Sequence, residues 1–536
     1  MNRANRVTKR SSERTLVSSG AASPRLRRIH AAKIADSDKE NEVQQKASAT
    51  QSKRKRADPG LLENNDGKFK RAKPSSDSTK NTTAKKRLAR VKEAQKVDGP
   101  LNKAPTAPLD IFVFGEGALG ELGLGSREVK NRLPYEVLQP RLNPFLSAKD
   151  VGVVQLSCGG LHGVALTKDN KIFTWGVNDH GALGRDTKVE EEDEDLLNPA
   201  ESTPAPVDLL HLGPGITWVQ VVGCDNASFA LTEDGKVYGW GTFRGNDGVM
   251  GFRDDPESPE VQKTATLIPE LKNIIQLAAG TNHVLALDSK GKVYAWGCGQ
   301  QAQIGRLVPS RRPRSALRPD RVIALPIKDA RVVKIACGSY HSFAIDQKGR
   351  VFAWGLNNYG QLGISDEAGE NNAHEMKPRF VESLRYHNVV DITGGQHHSL
   401  AANDDGELLA WGRIDGYRLG LQSEAFTEEN TIFDEKGNPR ILATPTIVPD
   451  LPAVGSVAAG ADHSFTRTLG GRVYSWGFSY GGRTGQNTSE DDIEVPTLIN
   501  SKFVRDRKFV YVDAGGPFSV LAAVADMEDS ANSSTL

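Results

Sequence analysis

Cysteine is scarce and scattered: Cys158, Cys224, Cys298 and Cys337 are the four in 536 residues. None stands at a zinc-module spacing, so no metal site is expected, and isolated thiols of this kind read as reduced and buried. No apolar run approaches the ~20 residues needed to cross a bilayer, and the N-terminus lacks the apolar segment of a secretory signal. A soluble protein of a reducing compartment, with no membrane partner, is the expectation. Aromatic residues are almost missing from residues 1–105, where Phe69 stands alone. So little apolar area cannot offset the entropy of ordering, and residues 1–105 are expected to form a disordered tail. Also missing are a Walker-type phosphate loop, a serine elbow and paired catalytic carboxylates. Neither covalent chemistry nor a cofactor is expected.

What is present is a lopsided charge and a repeat. Residues 1–105 carry 27 Lys/Arg against 11 Asp/Glu, whereas the remainder carries 41 against 56. A basic arm on an acidic body suggests two partners of opposite character. Along the body, Phe114-Gly115, Trp175-Gly176, Trp240-Gly241, Trp296-Gly297, Trp354-Gly355, Trp411-Gly412 and Trp476-Gly477 recur at intervals of 56 to 65 residues. A unit of that length cannot bury its own apolar face, so seven in series imply an array in which each covers the next.

Within a unit, alternating runs such as Val332–Ala336, His341–Ile345 and Arg350–Trp354 read as strands, and a fourth is expected around Arg379–Val381. The turn before the third strand carries glycine in Asp234-Gly235, Lys290-Gly291, Lys348-Gly349, Asp405-Gly406 and Gly470-Gly471, as primed hairpin turns require. Four strands in each of seven units make an all-β, seven-bladed β-propeller over residues 106–526, followed by a short polar tail at 527–536. The unit at Ile111–Gly115 lacks its first half, which reappears at Asp513–Val520. Joining the two ends would complete one blade and close the ring, removing exposed sheet edges.

Aligned turns place His162, Ala227, His283, His341, His398, His463 and Phe518 in one column. The histidines belong to different blades and cannot converge on one ion. Each is expected to be half-buried and bonded to its own blade's backbone. Asp225, Asn282 and His397 lie at the same turn tips, where they either meet a partner or reflect ordinary repeat drift. The most irregular insertion follows Trp240-Gly241. There Asn246-Asp247-Gly248 would close a short hairpin with Phe243, Val249 and Met250 as exposed apolar flanks.

These residues together resemble the regulator of chromosome condensation family, the seven-bladed exchange factors for the small GTPase Ran, over about residues 109–525. The specific match is Trp240–Arg244 with Asn246–Gly251, which is similar to the family's β-wedge; Trp296–Arg306 and Gly394–His398 match as well. The resemblance implies a guanine nucleotide exchange factor acting on chromatin, in nucleocytoplasmic transport and mitosis. Its wedge would be Phe243, Arg244, Asn246, Asp247, Gly248 and Val249, and its GTPase contacts Asp225, Asn282, His397 and Arg413. The family's vertebrate members have a critical Asp where this chain has Asn282; Ala118 and Phe518 replace an acidic residue and a histidine. The alternative is a propeller scaffold of the same repeat family without exchange activity.

Lys53, Arg54, Lys55 and Arg56, followed by Lys70 and Arg71 and then by Lys85, Lys86 and Arg87, read as a nuclear import signal for an import receptor and as an arm that neutralises DNA phosphates. A second basic cluster, Arg311, Arg312 and Arg314, sits in a Pro-punctuated loop. Related exchange factors use such a loop on the histone acidic patch of the nucleosome; the other reading is a solvated insertion. The acidic run Glu190–Asp195 is expected to be a solvated loop. A nuclear, chromatin-associated monomer is the resulting expectation.

Overall fold

The computed structural model describes residues 100–129, 132–189, 196–488 and 490–525. The basic runs at 53–87, the acidic run at 190–195 and the tail at 527–536 lie outside them. Seven antiparallel sheets form the body, six of four strands and one of five, with a separate two-stranded hairpin. Blade 1 is built from both ends of the chain. Phe509–Ala514 and Phe518–Val524 pair with Leu109–Glu116, which pairs with Glu136–Leu142. Blades 2 to 7 follow in chain order, beginning with inner strands Val153–Cys158, Trp218–Gly223, Ile274–Ala279, Val332–Cys337, Val389–Gly394 and Val454–Ala459. Inner strands of successive blades touch all the way round, including blade 7 with blade 1 and blade 1 with blade 2. The ring is closed. The fourth strand of blade 5, His374–Phe380, lies slightly earlier than its expected place.

Side-chain amides stitch the inner strands together. Gln155 binds both the N–H and the C=O of Val221, Gln220 both those of Leu277, and Gln276 both those of Ile335, at 2.7 to 3.1 Å. The closing seam uses a carboxylate instead: Asp513 accepts from the Cys158 N–H at 2.9 Å. The repeated Trp-Gly has a steric cause. All seven of its glycines have φ between +92° and +113°. A Cβ at Gly241 would also stand 2.2 Å from the Asn226 carbonyl oxygen.

Two expectations are corrected. The third-strand hairpins are not primed turns: Gly235 donates to Thr232 O, and Thr232 N–H to Lys236 O, with only the glycine at positive φ. This is a type I turn ending in a left-handed bulge residue, a role that Asn170 (φ 61°) fills in blade 2. The column histidines are wholly buried and bond the next blade, not their own. Nε2 of His162, His283, His341, His398 and His463 lies 2.8 to 2.9 Å from Oγ of Ser228, Ser342, Ser399, Ser464 and Ser519. Each serine donates in turn to a loop carbonyl, of Ala182, Gln303, Gln361, Arg418 and Arg483. Four of those carbonyls also accept the indole N–H of Trp240, Trp354, Trp411 and Trp476. Because the hydroxyl proton is committed to the carbonyl, the imidazole donates through Nε2–H and its Nδ1 is bare.

The chain reaches blade 1 by crossing the hairpin-turn face. Asn102 donates to the carbonyls of Thr232 and Ile274, Leu101 lies against Gly235, and Ala104 packs on the core of blades 3 and 4. Residues 100–104, assigned to the tail on composition, therefore already hold the propeller.

Candidate functional site

The opposite face is a rim of turn tips, four of them joined by a backbone hydrogen bond to the next blade. Asp225 donates its N–H to Thr281 O, Ser339 to Gly395 O, Gln396 to Ala461 O and Gly516 to Gly160 O, at 2.8 to 3.0 Å. Asp225 and Asn282 thus stand on touching tips, and the Asp225 carboxylate approaches Gly160 so closely that a Cβ there would lie 2.4 Å from Oδ1.

The hairpin Phe243–Gly245 and Gly248–Gly251 rises from this rim after Gly241, closed by Asn246-Asp247 as the sequence suggests. Val249 is exposed, whereas Met250 is half-buried. Phe243 is not an exposed flank but is fully buried, stacked with Phe229 and Phe252 at ring distances of 5.9 and 6.2 Å. A register shift leaves Met250 as the extra residue of the partner strand, while Phe243 and Arg244 alternate inward and outward. Of the residues expected in a wedge, Phe243 is the root of this hairpin, and Arg244, Asn246, Asp247, Gly248 and Val249 form the part that projects. Asn282 Oδ1 accepts from the Arg244 N–H at 3.0 Å, and Gln300 Oε1 from the Asn246 N–H at 2.8 Å.

His397 and Arg413 meet through Tyr359. The imidazole is 3% exposed, with its centroid 4.7 Å from Tyr359 and 6.2 Å from Tyr340. Burial holds it well below the usual histidine range, and Arg413 and Arg418 reinforce this. The Arg413 guanidinium lies 4.9 Å from the Tyr359 centroid and binds Asp415 with two hydrogen bonds of 2.6 Å; Arg440 approaches the same ring at 5.6 Å. His397 is therefore a support beneath an aromatic and cationic surface. Sequence reading missed Tyr359, Arg440 and Gln300, and also Arg418, buried and bonded to Asp462 at 2.6 Å. Asp462 was legible in principle, since it directly precedes His463 as Asn282 and His397 precede theirs.

The basic loop lies at the outer edge of blade 4, beside the wedge. Arg311 and Arg312 are exposed, but Arg314 is half-buried and donates to Arg253 O at 3.2 Å. The short helix Pro313–Leu317 turns it inward, so it supports the loop instead of reaching out. Among the described residues, no group of three or more His, Cys, Asp or Glu is placed to hold a metal. All four cysteines are free, three of them buried.

A closed seven-bladed propeller with a wedge on the rim opposite its chain entry defines the class of fold and site. Residues 110–521 match the RCC1-like domain model, and the chain belongs to the RCC1 family. It is 39% identical to guanine nucleotide exchange factor SRM1 of Saccharomyces cerevisiae over 79% of this chain and 89% of that protein. The crystal structure of Prp20p from Saccharomyces cerevisiae, studied with its binding properties to Gsp1p and histones, is similar with a TM-score of 0.71 and 39% identity, covering 79% of this chain and 93% of that one. The structure of Kap60 bound to yeast RCC1 (Prp20) matches with a TM-score of 0.72 and 37% identity, covering 83% and 98%.

Proposed function

We propose that this protein is a nuclear guanine nucleotide exchange factor for a small GTPase of the Ran type, acting on chromatin and in nucleocytoplasmic transport. The observation that carries the reading is the wedge: a short hairpin with an exposed Val249 tip, rooted by Phe243 and set among the tips bearing Asp225 and Asn282. A GTPase holds its nucleotide through a phosphate-binding loop and Mg²⁺. A wedge that fits only the emptied site binds that state preferentially and loosens the nucleotide. The rim with Asp225, His397 and Arg413 holds the GTPase surface, His397 by supporting Tyr359. A scaffold without exchange activity would have no use for the wedge. The test is release of fluorescent GDP from Ran by catalytic amounts of the protein; turnover of many GTPase molecules per protein is expected, and stoichiometric binding without release would favour the scaffold.

Kinship with SRM1 and with yeast Prp20, solved bound to Kap60 and studied for its binding to Gsp1p and histones, supports this reading. The N-terminal arm joins the propeller on the hairpin-turn face, opposite the wedge. DNA or an import receptor bound by the arm at Lys53–Arg56, Lys70, Arg71 and Lys85–Arg87 would leave the rim of a single monomer open to the GTPase. The arm's DNA binding should weaken steeply with salt, since counterion release drives it. For the nucleosome, the exposed Arg311 and Arg312 are the proposed contact residues, with the half-buried Arg314 supporting the loop beneath them. Changing Arg311 and Arg312 to Glu is expected to weaken nucleosome capture about tenfold or more while GDP release stays unchanged. Equal capture by variant and parent in a pull-down would remove the loop from chromatin binding.

A further inference from the structure

We propose that Asn282 and Gln300 act in exchange as positioning residues, clamping the free backbone edge of the wedge so that it keeps its posture against the GTPase. This rests on the exchange-factor reading above. In the hairpin, Gly245 pairs with Gly248 and Arg244 with Val249, so one edge of the Phe243–Gly245 strand faces away from its partner strand. A two-stranded ribbon is marginal in water, and its open edges add nothing to its stability. Here the N–H groups of Arg244 and Asn246 on that edge are taken by Asn282 Oδ1 and Gln300 Oε1. The two acceptors come from two separate turns of blade 4, one before His283 and one after Trp296-Gly297, whereas the wedge springs from blade 3.

The clamp is fitted to its place. Gln300 also accepts from Cys298 Sγ at 3.4 Å, which fixes its amide. A Cβ at Gly245 would stand 2.7 Å from Gln300 Oε1, so glycine there admits the acceptor. Asn282 is asked only to accept an N–H, and an amide oxygen does this as a carboxylate does. That accounts for Asn at a position where the resemblance led one to expect Asp.

The test uses the full chain. In a protein carrying Asn282→Leu and Gln300→Ala, hydrogen–deuterium exchange of the wedge amides should speed up about tenfold. GDP release should fall about tenfold in kcat with KM within about twofold, and Asn282→Asp, which keeps an acceptor oxygen, should restore the slow wedge-amide exchange that Asn282→Leu loses. When Gly245–Val249 is replaced by a linker, adding the same two changes should not alter affinity for nucleotide-free GTPase. Unchanged wedge-amide exchange in the double variant would overturn the clamp. An equal loss of affinity without the wedge would overturn it too, because the residues would then touch the GTPase themselves. Failure of the parent to release GDP would refute the exchange reading instead, and the amide exchange, which needs no GTPase, would still judge the clamp.

Discussion

Replacing Gly245–Val249 with a short neutral linker is expected to lower stimulated GDP release by about 10²-fold or more. Binding of nucleotide-loaded GTPase should survive. The reason is differential binding: an exchange factor works only through interactions that favour the emptied partner over the loaded one. A 10⁴-fold shift in that balance requires about 5.5 kcal/mol of difference. In the proposed complex the rim residues would contact either state, so the difference must come from an element that competes with the nucleotide. The replacement has to spare Phe243. That ring is fully buried and stacked in the core, and removing it would cost about 3–5 kcal/mol in stability, confounding a kinetic effect with unfolding. Stopped-flow release of fluorescent GDP measures the outcome, and release at the parental rate would take the wedge out of the mechanism.

The second large effect is acid lability. Burial pushes His162 down to about 4 and His283 and His341 to about 3, and holds His398 and His463 well below the usual range. Arg418 near His398 and Arg483 near His463 push the same way. Each is bound neutral through Nε2–H, whereas in the unfolded chain it titrates near pH 6.5. The unfolded state therefore binds more protons as pH falls, and the stability these groups contribute, present above pH 6.5, is lost toward their folded values. Each histidine costs about 1.4 kcal/mol per pH unit once its unfolded form is protonated, and five acting together cost about 7. Three carboxyls oppose this. Burial raises Glu121 to about 7 and also raises Asp513 and Asp492, so all three stabilise the fold more in acid than at neutral pH. The five column histidines, joined by the likewise lowered His397, outnumber them, and cooperative unfolding is expected between about pH 6 and pH 4. Urea denaturation across that range should show the steep fall, and His341→Gln should reduce the slope by about one proton. A stability flat from pH 7 to pH 4.5 would contradict the burial of the column.

How much of this was legible follows from the kind of signal each residue leaves. The Trp-Gly phrase announces seven blades because a left-handed glycine beside a neighbouring carbonyl tolerates no substitute. The split unit at Ile111 and Asp513 announces closure because a blade needs all its strands. Partners across blade gaps leave no such trace. The serine that receives each histidine lies 56 to 66 residues away, and alternation says that His341 is inward without saying which sheet it meets. Phe243 was expected at the surface because it flanks a protruding turn, and the rings of Phe229 and Phe252 that receive it come from other segments. Gln300 stood inside a segment singled out by the resemblance. Its role depends on a backbone that arrives from another blade.

The His–Ser–carbonyl links also have two gaps, and one lies at the wedge. Ala227 and Val284 occupy the two link positions between blades 3 and 4, the joint from which the wedge rises. Phe229, Phe243, Phe252 and Trp296 fill that joint instead. Stacked rings resist compression but lack the His–Ser–carbonyl link that five of the seven seams carry, so in the proposed complex the thrust of a docking partner would meet a cushion at this joint instead of a rivet.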